Sequence, residues 1–400
     1  MKGLELSLKR LSDDIYQIEN VFQDAGYDWP GDWEGRALLA FTCLYEATGK
    51  EIPCMHQMVE RLKEKTNSHL YFGMPFDGKT VDEQQLSGHS WYLRGLTKYA
   101  QNFDSEIAQK ALYNTVNGLY LPIIEWYNKY PLSREKTGGV SGEVVQTLNG
   151  WKLSSDVGCA FMCVDGLAHY YAYTKDDNCR KFLEKIIDVF CKIDFVKHGF
   201  QTHTTLSCLR GILKTYETTK DIKYLNIVKE KFDLYLRFGM TLTYENYNWF
   251  GREDSWTEPC AVVDSFILAT DLYLITRDSK YLTLARRIWF NGLQFCHRPN
   301  GGAGPNSCVT SSQPILKVSM YEAPFCCTMR YTEALLVQSK HKDMFYWNEN
   351  APEIIDDLGR CFIDDKMVVL LNDNPVPIFA GYDLSEEELK KVMLKVFVKS

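Results

Sequence analysis

Four segments of this chain end in the same way, and that repetition constrains the fold more than any other feature. They are Leu44-Tyr45-Glu46-Ala47-Thr48-Gly49-Lys50, Tyr171-Ala172-Tyr173-Thr174-Lys175-Asp176, Tyr216-Glu217-Thr218-Thr219-Lys220-Asp221 and Tyr273-Leu274-Ile275-Thr276-Arg277-Asp278. Each reads as a helix that stops at a Thr-basic or Thr-Gly turn and is followed by a second helix. In the last two copies a tyrosine, Tyr224 and Tyr281, follows the aspartate by three and is placed to pack back over the turn. Each unit is a helix hairpin of about 45–60 residues, a period that means stacked or circular repeats. The first helix of a pair is apolar nearly all round, as in Val262-Val263-Asp264-Ser265-Phe266-Ile267-Leu268-Ala269, so it is expected inside. The second is amphipathic, as in Phe182-Leu183-Glu184-Lys185-Ile186-Ile187-Asp188, so it is expected outside. Alternating inner and outer helices predict an all-α fold, an (α/α)6 barrel, over residues 1–351. Strand signals are nearly absent before residue 360.

The segment 352–400 is expected to be a small C-terminal β-containing appendage. Lys366-Met367-Val368-Val369-Leu370-Leu371 is its strand candidate, and Asn374-Pro375-Val376-Pro377 is expected to break it. Residues 386–399 read as a helix opened by a Ser385/Glu388 capping box, or as a strand.

Loops that enter inner helices from the same end share one rim of such a toroid. Gly88-His89, Gly158-Cys159, the stretch from His198 to Thr205 (which includes His203), Glu258-Pro259-Cys260 and Phe325-Cys326-Cys327 all stand before apolar helices. Adjacent cysteines point to opposite faces of a strand and diverge by about 100° on a helix. For both to reach one centre they need an irregular turn, which Pro324 favours. Glu258 and Cys260 fall on one side of an extended stretch set by Pro259. One glutamate and three cysteines (Glu258, Cys260, Cys326, Cys327) suit a tetrahedral Zn2+ site. Packed core thiols or a vicinal disulfide are the alternatives for the cysteine pair, and a helix N-terminal carboxylate is the alternative for Glu258.

The segment from Tyr27 to Arg36 is dense in aromatic and acidic residues and is expected to be a loop before a helix at about 37–48. Trp33 and Glu34 would then form a lip that stacks on a sugar face and binds its hydroxyls, or a helix cap over a buried tryptophan. The 13 cysteines, odd in number and set mostly in apolar runs, fit free thiols and a reducing compartment. A net charge of −7 argues against nucleic acid as partner. Met1 to Leu6 holds no apolar core of signal-peptide length, and no run of about 18 apolar residues is evident. A soluble cytoplasmic protein without membrane contact is the expectation. Nothing in the sequence fixes an oligomeric state.

At these residues the chain resembles glycoside hydrolase family 127, the zinc- and cysteine-dependent β-L-arabinofuranosidases, and its relatives. Glu258-Pro259-Cys260 resembles that family's Glu-x-Cys, and Cys326-Cys327 its Cys-Cys. Gln201-Thr202-His203-Thr204-Thr205 with Gly211 resembles its histidine segment, and Gly88-His89 also has a counterpart. The likeness covers roughly residues 25–345. It implies an (α/α)6 barrel and a retaining glycosidase acting on a small sugar or oligosaccharide. Glu258, Cys260, Cys326 and Cys327 would hold zinc, and Cys326 would also be the nucleophile. A glutamate upstream of Glu258, Glu245 in preference to Glu253, would be the acid/base, and His89 and His203 would contact the sugar. Cys159 stands where the family pattern leads one to expect histidine, and residues 82–86 also lack one. A carbohydrate-binding toroid that keeps the zinc without turnover is therefore the alternative. A thiol-activating zinc toroid of the lanthionine-cyclase kind would draw on Cys296-His297, but the glycine that should follow the histidine is missing.

Overall fold

The computed structural model describes residues 2–22, 28–134, 141–310, 312–313 and 315–345, and the strands Arg360–Ile363, Lys366–Leu371 and Asn374–Ala380. Among these residues six helices form an inner ring: α1 (Asp32–Thr48), α2 (Glu83–Asn102), α3 (Cys163–Thr174), α4 (Thr202–Thr219), α5 (Pro259–Thr276) and α6 (Met329–Lys340). Each packs on the next, and α6 packs back on α1, so the ring closes. Outer helices include Pro53–Glu60, Glu106–Thr115, Asp177–Cys191, Ile222–Phe238 and Ser279–Arg287. Lys2–Arg10 packs on both α6 and α1 and covers the seam where the ring closes. The fold is the all-α toroid expected from the repeat.

Close approach of the inner helices depends on missing side chains. A Cβ on Gly35 of α1 would lie 2.1 Å from the backbone nitrogen of Tyr92 in α2, and one on Gly211 of α4 would lie 2.5 Å from the Val164 carbonyl of α3. Any other residue there would force the ring apart.

The repeated turn has a full structural account. Thr174, Thr219 and Thr276 each donate a hydroxyl hydrogen bond to the carbonyl four residues back and accept from the N–H of Asp176, Asp221 or Asp278. The intervening residue is left-handed: Lys175, Lys220 and Arg277 have φ of 60°, 61° and 61°. That conformation is costly outside glycine. It is offset by the cap bond to the tyrosine carbonyl and by the cation lying over the same ring, Tyr171, Tyr216 or Tyr273. The three aspartates then cap the following outer helices.

The inner helices run parallel. One cavity of about 300 Å³ is lined by the C-terminal halves of all six, through Cys43, Lys98, His169, Lys214, Asp271 and Lys340. The Thr turns lie at this end. α4 and α5 have 18 residues each, so the opposite rim is about 27 Å away.

Several elements differ from the sequence expectation. α1 begins at Asp32, not near 37, because Gly31 at φ 85° turns the chain into the helix and Asp32 pairs with Arg36 one turn on. Trp33 and Glu34 are thus first-turn residues rather than loop. A small sheet precedes residue 360: Val81–Asp82 pairs parallel with Trp151–Ser154, which pairs antiparallel with Val144–Leu148. At the C-terminus, Lys366–Leu371 is a strand as expected, but Asn374–Ala380 is one too. Its prolines are tolerated beside a register shift at Leu370/Leu371. This sheet takes its edge strand, Ile315–Leu316, from the chain before α6, where it pairs parallel with Asn374–Ala380. The capping box proposed at Ser385 and Glu388 lies outside the described residues. α5 is long and apolar enough to cross a bilayer, contrary to the sequence reading, but 72% of its apolar window is buried in the ring.

Candidate metal centre

Three sulfurs meet at the rim formed by the N-terminal ends of the inner helices. Cys326 and Cys327 lie in a single π-type turn, Pro324–Thr328, that feeds α6. The wider turn is the irregularity that two adjacent thiols need to face one centre. Cys260 follows Pro259 in the first turn of α5. Its Sγ lies 3.3 Å from Sγ of Cys326 and 3.7 Å from that of Cys327, and the latter two are 3.9 Å apart. Ligand sulfurs in a tetrahedral zinc site, each about 2.3 Å from the metal, stand about 3.8 Å from one another. The donor set therefore fits a tetrahedral thiolate-binding metal. The twelve described cysteines are free thiols, which removes the vicinal disulfide.

Glu258, the N-cap residue of α5, stands beside Cys260. It falls with His203 and Cys260 in a second compact triad, so Cys260 is shared by both groups. Glu258 Oε1 is 3.0 Å from His203 Nδ1, while its buried Oε2 has no partner among the described residues. The loop is held by Asn246, whose Oδ1 accepts from the Glu258 N–H at 2.7 Å.

Electrostatics single out Cys326. Hydrogen bonds from Cys260 and Cys327, followed by the charges of Arg36 and His203, outweigh burial and hold its thiol well below the usual range. Burial pushes the Cys260 thiol up. Cys326 is half-buried, whereas Cys260 and Cys327 are buried. Burial alone would lower His203, but the facing carboxylates of Glu258 and Asp264 raise it to about 9. Arg36 Nη1 donates to Cys260 Sγ at 3.5 Å.

The remaining sequence candidates divide. Trp33 stacks on Phe325 with ring centroids 4.3 Å apart, beside Cys326, and forms an aromatic wall of the centre. Glu34 is buried, only 1% exposed, and is not part of a lip. His203 belongs to the centre. His89 does not: Nδ1 donates to the Gln85 carbonyl and Nε2 accepts from the Phe72 N–H, so neither ring nitrogen is left for a sugar. It pins the 70–73 loop to α2. Glu245 is wholly buried, and its Oε1 accepts from Asn306, Thr257 and Cys296 and its Oε2 from Thr243. Burial pushes its pKa up against those bonds. Thr257 directly precedes Glu258, so Glu245 sits one contact behind the Glu258 loop. Glu253 is on the exposed surface. Cys296 donates to Glu245, and His297 stacks on Tyr331.

Sequence reasoning missed the charges under the centre. Arg94 of α2 pairs with Asp165 of α3 and Glu333 of α6. Arg210 of α4 pairs with Asp264 of α5 and with Glu333, and Arg330 of α6 pairs with both of those carboxylates. Trp91 is held between the guanidiniums of Arg36 and Arg330, 4.2 Å and 4.4 Å from its ring. A single charge inside an apolar helix, as at Asp264, was the available signal. Asp156, on the loop before α3, was also missed. Burial and then the charge of Glu258 raise its carboxyl to about 7.

No known family profile matches the chain, and no curated protein sequence does. Solved structures do. A GH127 β-arabinofuranosidase superposes with a TM-score of 0.57 at 11% identity, over 92% of this chain and 62% of that one. A D-mannose isomerase gives 0.55 at 16%, over 84% and 96%. A cellobiose 2-epimerase from Bacillus thermoamylovorans gives 0.53 at 14%, over 84% and 99%. The chain thus spans 62% of the length of the arabinofuranosidase it is similar to. The chain shares with these proteins the (α/α)6 toroid fold.

Proposed function

We propose that this protein is a carbohydrate-active enzyme of the retaining glycosidase type, β-L-arabinofuranosidase-like, with a zinc-thiolate centre. The observation that carries the reading is the tetrahedral spacing of Cys260, Cys326 and Cys327, with the half-buried Cys326 beside the Trp33–Phe325 stack. It is supported by the fold shared with a GH127 β-arabinofuranosidase. The three cysteines and Glu258 would hold the ion. When bound, zinc keeps its thiols deprotonated at neutral pH.

Cys326 is the nucleophile in this reading. Its sulfur forms a bond to the anomeric carbon as the glycosidic C–O bond breaks, and the proton of Glu245 goes to the leaving oxygen. Water then attacks the same carbon, Glu245 takes its proton, and the C–S bond breaks to restore the thiolate. Burial favours the protonated Glu245 that the first step needs. The stacked Trp33 offers a face for the sugar ring.

One observation favours a second reading, a carbohydrate-binding toroid that keeps the metal without turnover. Both Glu245 oxygens are already bonded within the protein, and His89 is saturated. Hydrolysis of p-nitrophenyl β-L-arabinofuranoside and a panel of other aryl glycosides by zinc-loaded protein decides between them. Release of the phenol that is lost in Cys326→Ser supports the enzyme. Sugar binding in calorimetry with no release supports the binding protein.

A further inference from the structure

Arg36 lies on the second turn of α1, and its residue is 5% exposed. Its Nε donates to Asp32 Oδ2 at 2.8 Å, its guanidinium carbon lies 4.2 Å from the Trp91 ring centroid, and its Nη1 donates to Cys260 Sγ at 3.5 Å. An arginine beside a carboxylate usually takes the two-pronged geometry in which two parallel N–H groups meet two oxygens. Here it does not. The second Asp32 oxygen, Oδ1, is buried and unpartnered among the described residues, while a guanidinium N–H faces sulfur instead. The side chain is thus fixed on one edge by Asp32 and on its face by Trp91, with another N–H presented to the thiol cluster.

Charge gives that geometry a purpose. A divalent ion held by three thiolates and one carboxylate carries a net charge of −2, and burying uncompensated charge is costly. Arginine remains cationic at any working pH, and this one touches a ligand sulfur. We propose that Arg36 is the counter-cation of the metal centre, donating a charge-assisted hydrogen bond to the Cys260 thiolate and thereby setting metal affinity. The inference rests on the metal reading above. It makes Arg36 a positioning residue, not a catalytic one, and it marks Cys260 as the anchored sulfur, distinct from Cys326.

The test is the zinc dissociation constant of the full chain, measured by competition with a chromophoric chelator for the parent, Arg36→Met, Arg36→Gln and Arg36→Lys. Far-UV circular dichroism establishes which variants are folded. Loss of an outer partner of a metal ligand typically weakens binding about 10–100-fold. That loss is expected in Arg36→Met and Arg36→Gln, which are neutral, with most of it restored in Arg36→Lys. In cobalt-loaded protein the thiolate-to-metal charge-transfer band is expected to shift in the neutral variants. A merely structural role would not move it. A parent that binds zinc together with a folded neutral variant of equal affinity and an unshifted band overturns the role of Arg36 alone. A parent that binds no zinc overturns the metal reading and this inference together.

Discussion

Cys260 Sγ and Cys326 Sγ lie 3.3 Å apart, although one stands in the first turn of α5, the other in the turn that feeds α6, and 66 positions of chain separate them. Two thiols at that distance without a disulfide need either a shared proton or a shared metal. We expect about one zinc per chain by plasma emission on protein purified without chelator, as one four-ligand site requires. Cys260→Ala should remove most of it. A metal content near zero in both proteins would end the metal reading.

Cys326 and Cys327 should respond differently to serine. Cys326→Ser is expected to lower turnover by about a thousandfold or more, the scale of a lost nucleophile, while thermal melting changes little. Cys327→Ser should act through weakened zinc binding, so added zinc should restore part of its activity. A haloacetamide or cyclophellitol-type probe should label Cys326, the half-buried thiol of the cluster. Labelling on Cys159 or Cys308 instead, read by mass spectrometry, would disprove the assignment.

Glu245→Gln should spare substrates with activated aryl leaving groups and lose those with poor ones, because only the latter need protonation. The expected gap is about 100-fold or more, within the range for general acid catalysis. An equal effect on both substrate classes would shift the acid/base role elsewhere. Asp156, whose carboxyl is raised to about 7 by burial and by Glu258, would be the next to test.

Asp264 lies wholly buried and accepts from Ser207, Arg210 and Arg330. Asp264→Ala leaves two guanidiniums short of a partner, which for a broken buried pair costs about 3–5 kcal/mol. A clear fall in the urea midpoint should follow. A midpoint within error of the parent would show that the buried pairing of Asp264 with Arg210 and Arg330 contributes no stability.

Asp271 lines the cavity at the Thr-turn end, and burial followed by Glu217 raises its pKa to about 7. A carboxyl raised above its unfolded value of about 3.9 contributes stability below that value and loses it as pH rises through 7. Asp271→Asn should therefore raise the melting temperature by a few degrees at pH 8 and by clearly less at pH 5, where only part of the penalty has developed. The opposite ordering of the two pH values would contradict the assignment.

The sequence by itself determined the hairpin repeat, the burial of α5 and the amphipathic outer helices, because turn chemistry and helical periodicity are local properties. Thr219, Lys220 and Asp221 specify their turn with neighbours no more than a few residues away. It also marked Glu258-Pro259-Cys260 and Cys326-Cys327 as chemical candidates. The rest was decided by ring closure. Only packing α6 back on α1 brings Phe325 onto Trp33 and Arg36 towards the rim where Cys260 meets Cys326. His89 reads in the sequence as a rim residue that would contact a sugar, but the 70–73 loop takes its Nε2 and its own helix takes Nδ1, contacts that no local pattern encodes. Asp264 and Arg330 are charges buried in two different inner helices, and no local pattern pairs them. They are paired because six parallel helices enclose one axis, and a buried charge is tolerable only where another helix supplies its partner.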